Sequence, residues 1–125
     1  MEQKIRVLCV DDDAATRTLY GMIVGSEPDM ECVAALGSAE TLVETLAAER
    51  PDVVLLDLRM PGLDPMEALR QASRAHPRAR IVVFSGLDDP ESVEEAYAAG
   101  AAAYLSKDVP PEEMLATIRR LGRGA

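Results

Sequence analysis

The sequence predicts an α/β domain: five strands alternating with five helices, the strands forming a parallel sheet with helices on both faces. Three observations predict it. Short apolar runs alternate with longer helical patterns along the chain, the order that calls for a covered parallel sheet. Two runs, Val53–Leu56 and Ile81–Phe84, are apolar at every position, as in strands buried on both faces. The 125 residues are enough for one domain with a sizeable core.

The first strand is Ile5–Val10, followed by a helix over Ala14–Val24 with Leu19, Met22 and Ile23 on one face and Gly25 as a stop. Asp13 stands where that helix begins and reads as cap chemistry. Met30–Ala35 is the second strand. Ser38 offers a cap for a second helix whose buried stripe is Leu42, Val43 and Leu46. Val53–Asp57 is the third strand, and Asp64-Pro65 is an N-cap followed by proline at the first helical position, with Met66 and Leu69 behind it. Ile81–Ser85 is the fourth strand. Asp89-Pro90 repeats the start signal for a fourth helix carrying Val93, Ala96 and Tyr97 and stopping at Gly100. Ala103–Ser106 is the fifth strand, and Pro110-Pro111 opens a last helix with Met114, Leu115, Ile118 and Leu121. The domain is expected over residues 1–121, with 122–125 as the start of a linker or tail and an Arg/Gly character setting in from Arg119.

Composition excludes several functions. A formal charge of −9 sets this domain against nucleic acid and anionic membranes. Aromatics are 3% of residues and Trp is absent, so stacking platforms for single strands are missing. A hydrophobic share of 48% argues against disorder. No apolar run approaches the about 20 residues of a membrane span, and the N-terminus lacks a signal-peptide core. Cys9 and Cys32 lie in strand-like runs without zinc-site spacing and read as reduced core thiols of a cytoplasmic protein. His76, the only histidine, precedes Pro77 at a helix end and reads as structural.

Ligands of open parallel sheets bind beyond the C-terminal strand ends. The first strand delivers Asp11, Asp12 and Asp13 there, the third Asp57, the fourth Ser85, and the fifth Ser106 and Lys107. Carboxylates gathered at one edge call for a cation. Hard oxygen ligands facing solvent suit Mg²⁺. Lys107 supplies a fixed positive charge and Ser85 a hydroxyl donor for a phosphoryl group. An aspartate can accept phosphate as an acyl phosphate, and Asp57 ends an apolar strand, so the expected chemistry is Mg²⁺-assisted phosphoryl transfer onto Asp57.

With these residues in place, VLCVDDDAATR, PDVVLLDLRMPG, VVFSG and AGAAAYLSKD resemble the response-regulator receiver domain of two-component signalling. The resemblance implies a flavodoxin-like (βα)5 doubly wound sheet in strand order 2-1-3-4-5. It implies Asp11, Asp12, Asp57 and the backbone carbonyl of Arg59 as metal ligands, and Asp57 as the phosphoacceptor. It makes Ser85 and Lys107 the groups that close on the phosphoryl, Tyr104 the switching aromatic, and Arg59 and Leu87 the positions tuning autodephosphorylation. It also implies a sensor histidine kinase as phosphoryl donor, no enzyme activity beyond assisting the domain's own phosphorylation and dephosphorylation, and a phosphorylation-dependent homodimer.

The phrase YLSKDVPPEEMLATIRRL is similar to the NarL/FixJ-like (LuxR-type) subgroup, whose members usually carry a C-terminal helix-turn-helix domain. The 125 residues do not include one, so DNA binding and transcriptional control are expected through a further domain, with a stand-alone receiver as the other possibility. Asp108 stands where many receivers have proline, Pro65 where glycine is usual, and Ala103 where glycine is common. Three other readings compete. A flavin or nucleotide binder wants phosphate-binding amides after the first strand, where three aspartates have the wrong sign. A metal-dependent aspartyl phosphatase wants a second acid where Arg59 stands. A degenerate receiver would act only as a protein-interaction module.

Overall fold

The computed structural model describes residues 3–58, 64–86 and 90–123. Strands β1 (Ile5–Val10), β2 (Met30–Leu36), β3 (Val53–Asp57), β4 (Arg80–Ser85) and β5 (Ala103–Ser106) alternate with helices α1 (Ala14–Gly25), α2 (Leu42–Glu49), α3 (Pro65–Ala75), α4 (Pro90–Ala99) and α5 (Pro111–Gly122). The sheet is parallel throughout, in the expected order β2-β1-β3-β4-β5. Strand order therefore reverses between β1 and β3.

Two core layers explain why the central strands are apolar at every position. Leu8, Val10, Val54, Leu56, Ile81 and Val83 face α2, α3 and α4, where Leu42, Leu46, Leu69 and Ala96 complete one cluster. Val7, Cys9, Val53, Leu55, Val82 and Phe84 face α1 and α5, with Val24, Met114, Ile118 and Leu121. Successive side chains of a strand point to opposite faces, so a strand covered on both sides loses the polar half of its alternation. The cysteines are free and share the α1/α5 side. A hydrogen bond to Cys32 and burial push the Cys9 thiol up.

Several local expectations change. In α1, Ile23 packs against the core as expected, but Leu19 and Met22 are 53% and 67% exposed, and Val24, buried, and Tyr20, packed against the core, cover the sheet instead. Periodicity marked a stripe, but the helix turns a neighbouring face to the sheet. Tyr97 on α4 is likewise 49% exposed; Ala96 is buried as expected, with Ala99 in place of Tyr97. Helix α2 begins after Thr41 rather than at Ser38, whose hydroxyl instead accepts the Glu40 N–H in the preceding turn. Asp13 and Asp64 cap as expected, Asp13 accepting from Thr16 N and Asp64 from Met66 N. Asp89 lies outside the described residues. Arg119–Gly122, which read as the approach to a linker, are the last turn of α5. There Arg119 pairs with Asp29 and Glu27, and Arg123 with Asp29. Among the described residues every peptide bond is trans, Lys107–Asp108 included, and no helix is long and apolar enough to cross a membrane.

Candidate phosphoryl-acceptor site

The site follows from strand register. Val10 pairs with Leu56 across β1 and β3, so the next residues, Asp11 just past β1 and Asp57 at the end of β3, stand side by side where strand order reverses. Asp57 is level with Phe84, and Ser85 with Ser106. One residue beyond Ser106, Lys107 turns back, its N–H donating to the Ser85 carbonyl at 3.1 Å.

Its side chain crosses the strand ends. Lys107 Nζ lies 3.1 Å from Asp11 Oδ2 and 3.1 Å from Asp57 Oδ2. Asp11 and Asp57 are each 2% exposed, whereas Asp12 is exposed. Burial works against the Lys107 ammonium, but hydrogen bonds and charge from Asp57 and Asp11 outweigh it and hold its pKa above the ordinary lysine value. Asp11 is anchored through its other oxygen and its carbonyl: Oδ1 accepts the Asp13 N–H at 2.9 Å, and Arg17 Nη1 donates to the carbonyl at 2.7 Å. Asp13 turns away to cap α1, and the Thr16 hydroxyl and N–H hold its carboxyl below the usual range.

Carboxylate oxygens of Asp11, Asp12 and Asp57 all lie within 4.8 Å of one another. Lys107 pairs with two of these three carboxylates, Asp11 and Asp57, and the negative charge left over in the cluster suits a dication. The donors are all hard oxygens, which suits Mg²⁺ or a similar ion. Ser85 is fully buried at the end of β4. Tyr104, on β5, is half-buried against the α3/α4 side of the core. Arg59 and Leu87 lie outside the described residues.

Two contributors escaped the sequence reading. Arg17 holds the β1–α1 turn, and its spacing of four from the capping Asp13 was the available signal. Tyr20 packs against Phe84 with ring centroids 5.5 Å apart and the ring planes tilted by 43°, and it lines, with Lys107 and Met114, a groove beside the site.

The sequence matches the family described as the response regulator receiver domain over residues 7–119. It is 33% identical over 123 residues to the transcriptional regulatory protein YxjL of Bacillus subtilis, covering 98% of this chain and 56% of that protein. It is 32% identical to the nitrate/nitrite response regulator protein NarL of Escherichia coli, covering 98% of this chain and 57% of NarL. The chain thus spans little more than half the length of these curated relatives. Among solved structures, the signal receiver domain of the response regulator NarL from Mycobacterium tuberculosis superposes with a TM-score of 0.91 at 29% identity, over 99% of this chain and 100% of that one. The matched residues take in both sheet faces and all the strand ends that build the acidic cluster. The chain belongs to the response-regulator receiver domains, with its relatives among the NarL/FixJ-type regulators.

Proposed function

We propose that the domain takes a phosphoryl group onto Asp57 from a phosphohistidine of a sensor kinase. The observation that carries this is the placement of Asp57: a carboxylate 2% exposed, at the switch point, facing Lys107 Nζ at 3.1 Å and sharing a cluster with Asp11 and Asp12. Asp11, Asp12 and Asp57, with the Arg59 carbonyl by resemblance, would hold Mg²⁺, which when bound neutralises and orients phosphoryl oxygens. An Asp57 carboxylate oxygen attacks phosphorus, an O–P bond forms, the N–P bond of the donor breaks, and the imidazole leaves. Lys107 then has a new anion to face, and the Ser85 hydroxyl can donate to a phosphoryl oxygen from the neighbouring strand.

The new charge biases two arrangements of the segment from Ser85 to Lys107, with Tyr104 as its aromatic indicator. Arg59 and Leu87 tune the lifetime of the acyl phosphate. The output is a changed surface on α4, β5 and α5, read as homodimerisation or release of a partner domain. By analogy with the transcriptional regulators it resembles, the full-length protein controls transcription in the cytoplasm through a DNA-binding domain. An interaction-only role is not favoured, since the aspartates and the lysine are all in place.

The test is labelling by acetyl phosphate with Mg²⁺. The native chain should be labelled and Asp57→Asn should not; retained labelling would move the acceptor elsewhere. Beryllofluoride with Mg²⁺ should shift the NMR resonances of Ser85 and Tyr104, and unchanged resonances would remove the switch.

A further inference from the structure

At the other end of the sheet, where the strands begin, a cleft of about 460 Å³ opens between the C-terminal ends of α2 and α3. Leu46, Pro51 and Pro77 give it an apolar lining, and Arg50, His76 and Arg78 add positive or protonatable groups. The volume lies within the range of small-ligand sites.

The charge here runs against that of the rest of the chain. The segment Arg70–Arg80 carries four arginines and no acid in a chain of net charge −9. Among the described residues Arg50, Arg74, Arg78 and Arg80 form no ion pair, nor do Lys4, Arg17 and Arg120 elsewhere, whereas Arg6, Arg70, Lys107 and Arg119 do. The acid in the cleft, Asp52, is already engaged, its Oδ2 accepting the Arg6 N–H at 2.8 Å.

Arg50 adds a second observation. It closes α2 in the left-handed region, at φ 49°, and among the described residues no other residue but glycine has positive φ. Glycine is the usual residue for such a cap. An arginine kept in that backbone state is the kind of local outlier that points to function.

We propose that this cleft binds a nucleotide, its phosphate held by Arg50 and Arg78 and its base set against the apolar lining. A guanidinium fork matches phosphate oxygens two at a time. An inorganic ion would leave the apolar part of the cleft unfilled.

The experiment is calorimetric titration of the protein with adenosine and guanosine monophosphates in EDTA, beside inorganic phosphate, adenosine and a DNA duplex. One-site binding of a monophosphate is expected, weakened at least about tenfold by Arg78→Gln and by Arg50→Gly. Arg50→Gly suits the backbone and keeps the fold. Amide shifts on binding should cluster at residues 46–52 and 75–80. The Asp57→Asn variant should bind equally well, which separates this site from the phosphoacceptor. Four outcomes would overturn the proposal: no binding, an equal response to inorganic phosphate, binding of duplex DNA alone, or full binding by both arginine variants. A stability change in those variants without any ligand effect would mean that the arginines only complement the helix C-termini.

Discussion

Lys107 Nζ stands 3.1 Å from Asp57 Oδ2, although the two residues are 50 positions apart in sequence. The contact exists because β3 and β5 both end at one edge of the sheet and β4 lies between them. The same ammonium holds Asp11, so one lysine ties together the ends of β1, β3 and β5. Before any phosphoryl arrives, the site is a buried carboxylate pair held by one cation.

Removing that cation should therefore destabilise the fold. Breaking a buried pair from one side costs about 3–5 kcal/mol. Lys107 is 31% exposed, and solvent screening lowers the figure. Lys107→Met is expected to lose about 2 kcal/mol in urea unfolding in metal-free buffer, with part of the loss recovered on adding Mg²⁺. The raised lysine pKa sets the pH window. This contribution is complete below the ordinary value of 10.5 and fades as pH rises through the higher folded value. A variant as stable as the parent in EDTA would show that the contacts contribute nothing.

The site was legible in sequence because each of its residues ends a strand or follows within two residues of one, and strand ends are what an apolar run marks. Asp11, Asp57, Ser85 and Lys107 could be assigned to one edge without coordinates once the sheet was parallel. Orientation about a helix axis was not legible in the same way. Leu19 and Met22 satisfy helical spacing as well as Tyr20 and Ile23 do, and only the packing of α1 on β1 and β2 decides which pair is covered. The arginines of the far cleft were also hidden, since Arg50 and Arg78 are 28 positions apart and line one cleft only through the return of two helices to the same end.

The exposed pair on α1 gives a prediction about the phosphoryl donor. A protein donor must bring its histidine to Asp57, and α1 begins at the mouth of the site with Leu19 in the adjoining groove. Leu19→Ser and Met22→Ser should change stability by less than about 0.5 kcal/mol. They should slow transfer from a cognate kinase while leaving labelling by acetyl phosphate unchanged. A kinase equally fast on the double variant would place the docking surface elsewhere.

Gly100 closes α4 at φ +118°, and a Cβ there would overlap Ser73 Oγ and stand 2.5 Å from Ser73 Cβ. Gly100→Ala combines an unfavourable backbone with a clash against α3, and should cost at least about 2 kcal/mol in chemical unfolding. Adding Ser73→Gly removes both clashing atoms but not the backbone strain. The double variant should recover only part of the difference, and full recovery would show that φ carries no penalty here.

The acid limb of stability should depend on Asp29. Hydrogen bonds from Arg119, with Arg123 assisting, hold its carboxyl at about 2, against an ordinary 3.8. The Arg119 Nε contact is 2.8 Å and the Arg123 Nη2 contact 3.0 Å, tying the last turn of α5 to the turn before β2. A folded pKa below the unfolded one means that the contribution is complete above 3.8 and is lost as pH falls through about 2. Thermal unfolding of the parent should lose stability across that window. Asp29→Asn should start lower at neutral pH and show a shallower decline there, because the difference in proton binding has been removed. Amide exchange should quicken selectively at residues 119–122 in the same variant. Parallel pH profiles for the two proteins, with unchanged exchange at the end of α5, would show that these arginines do not hold the helix down.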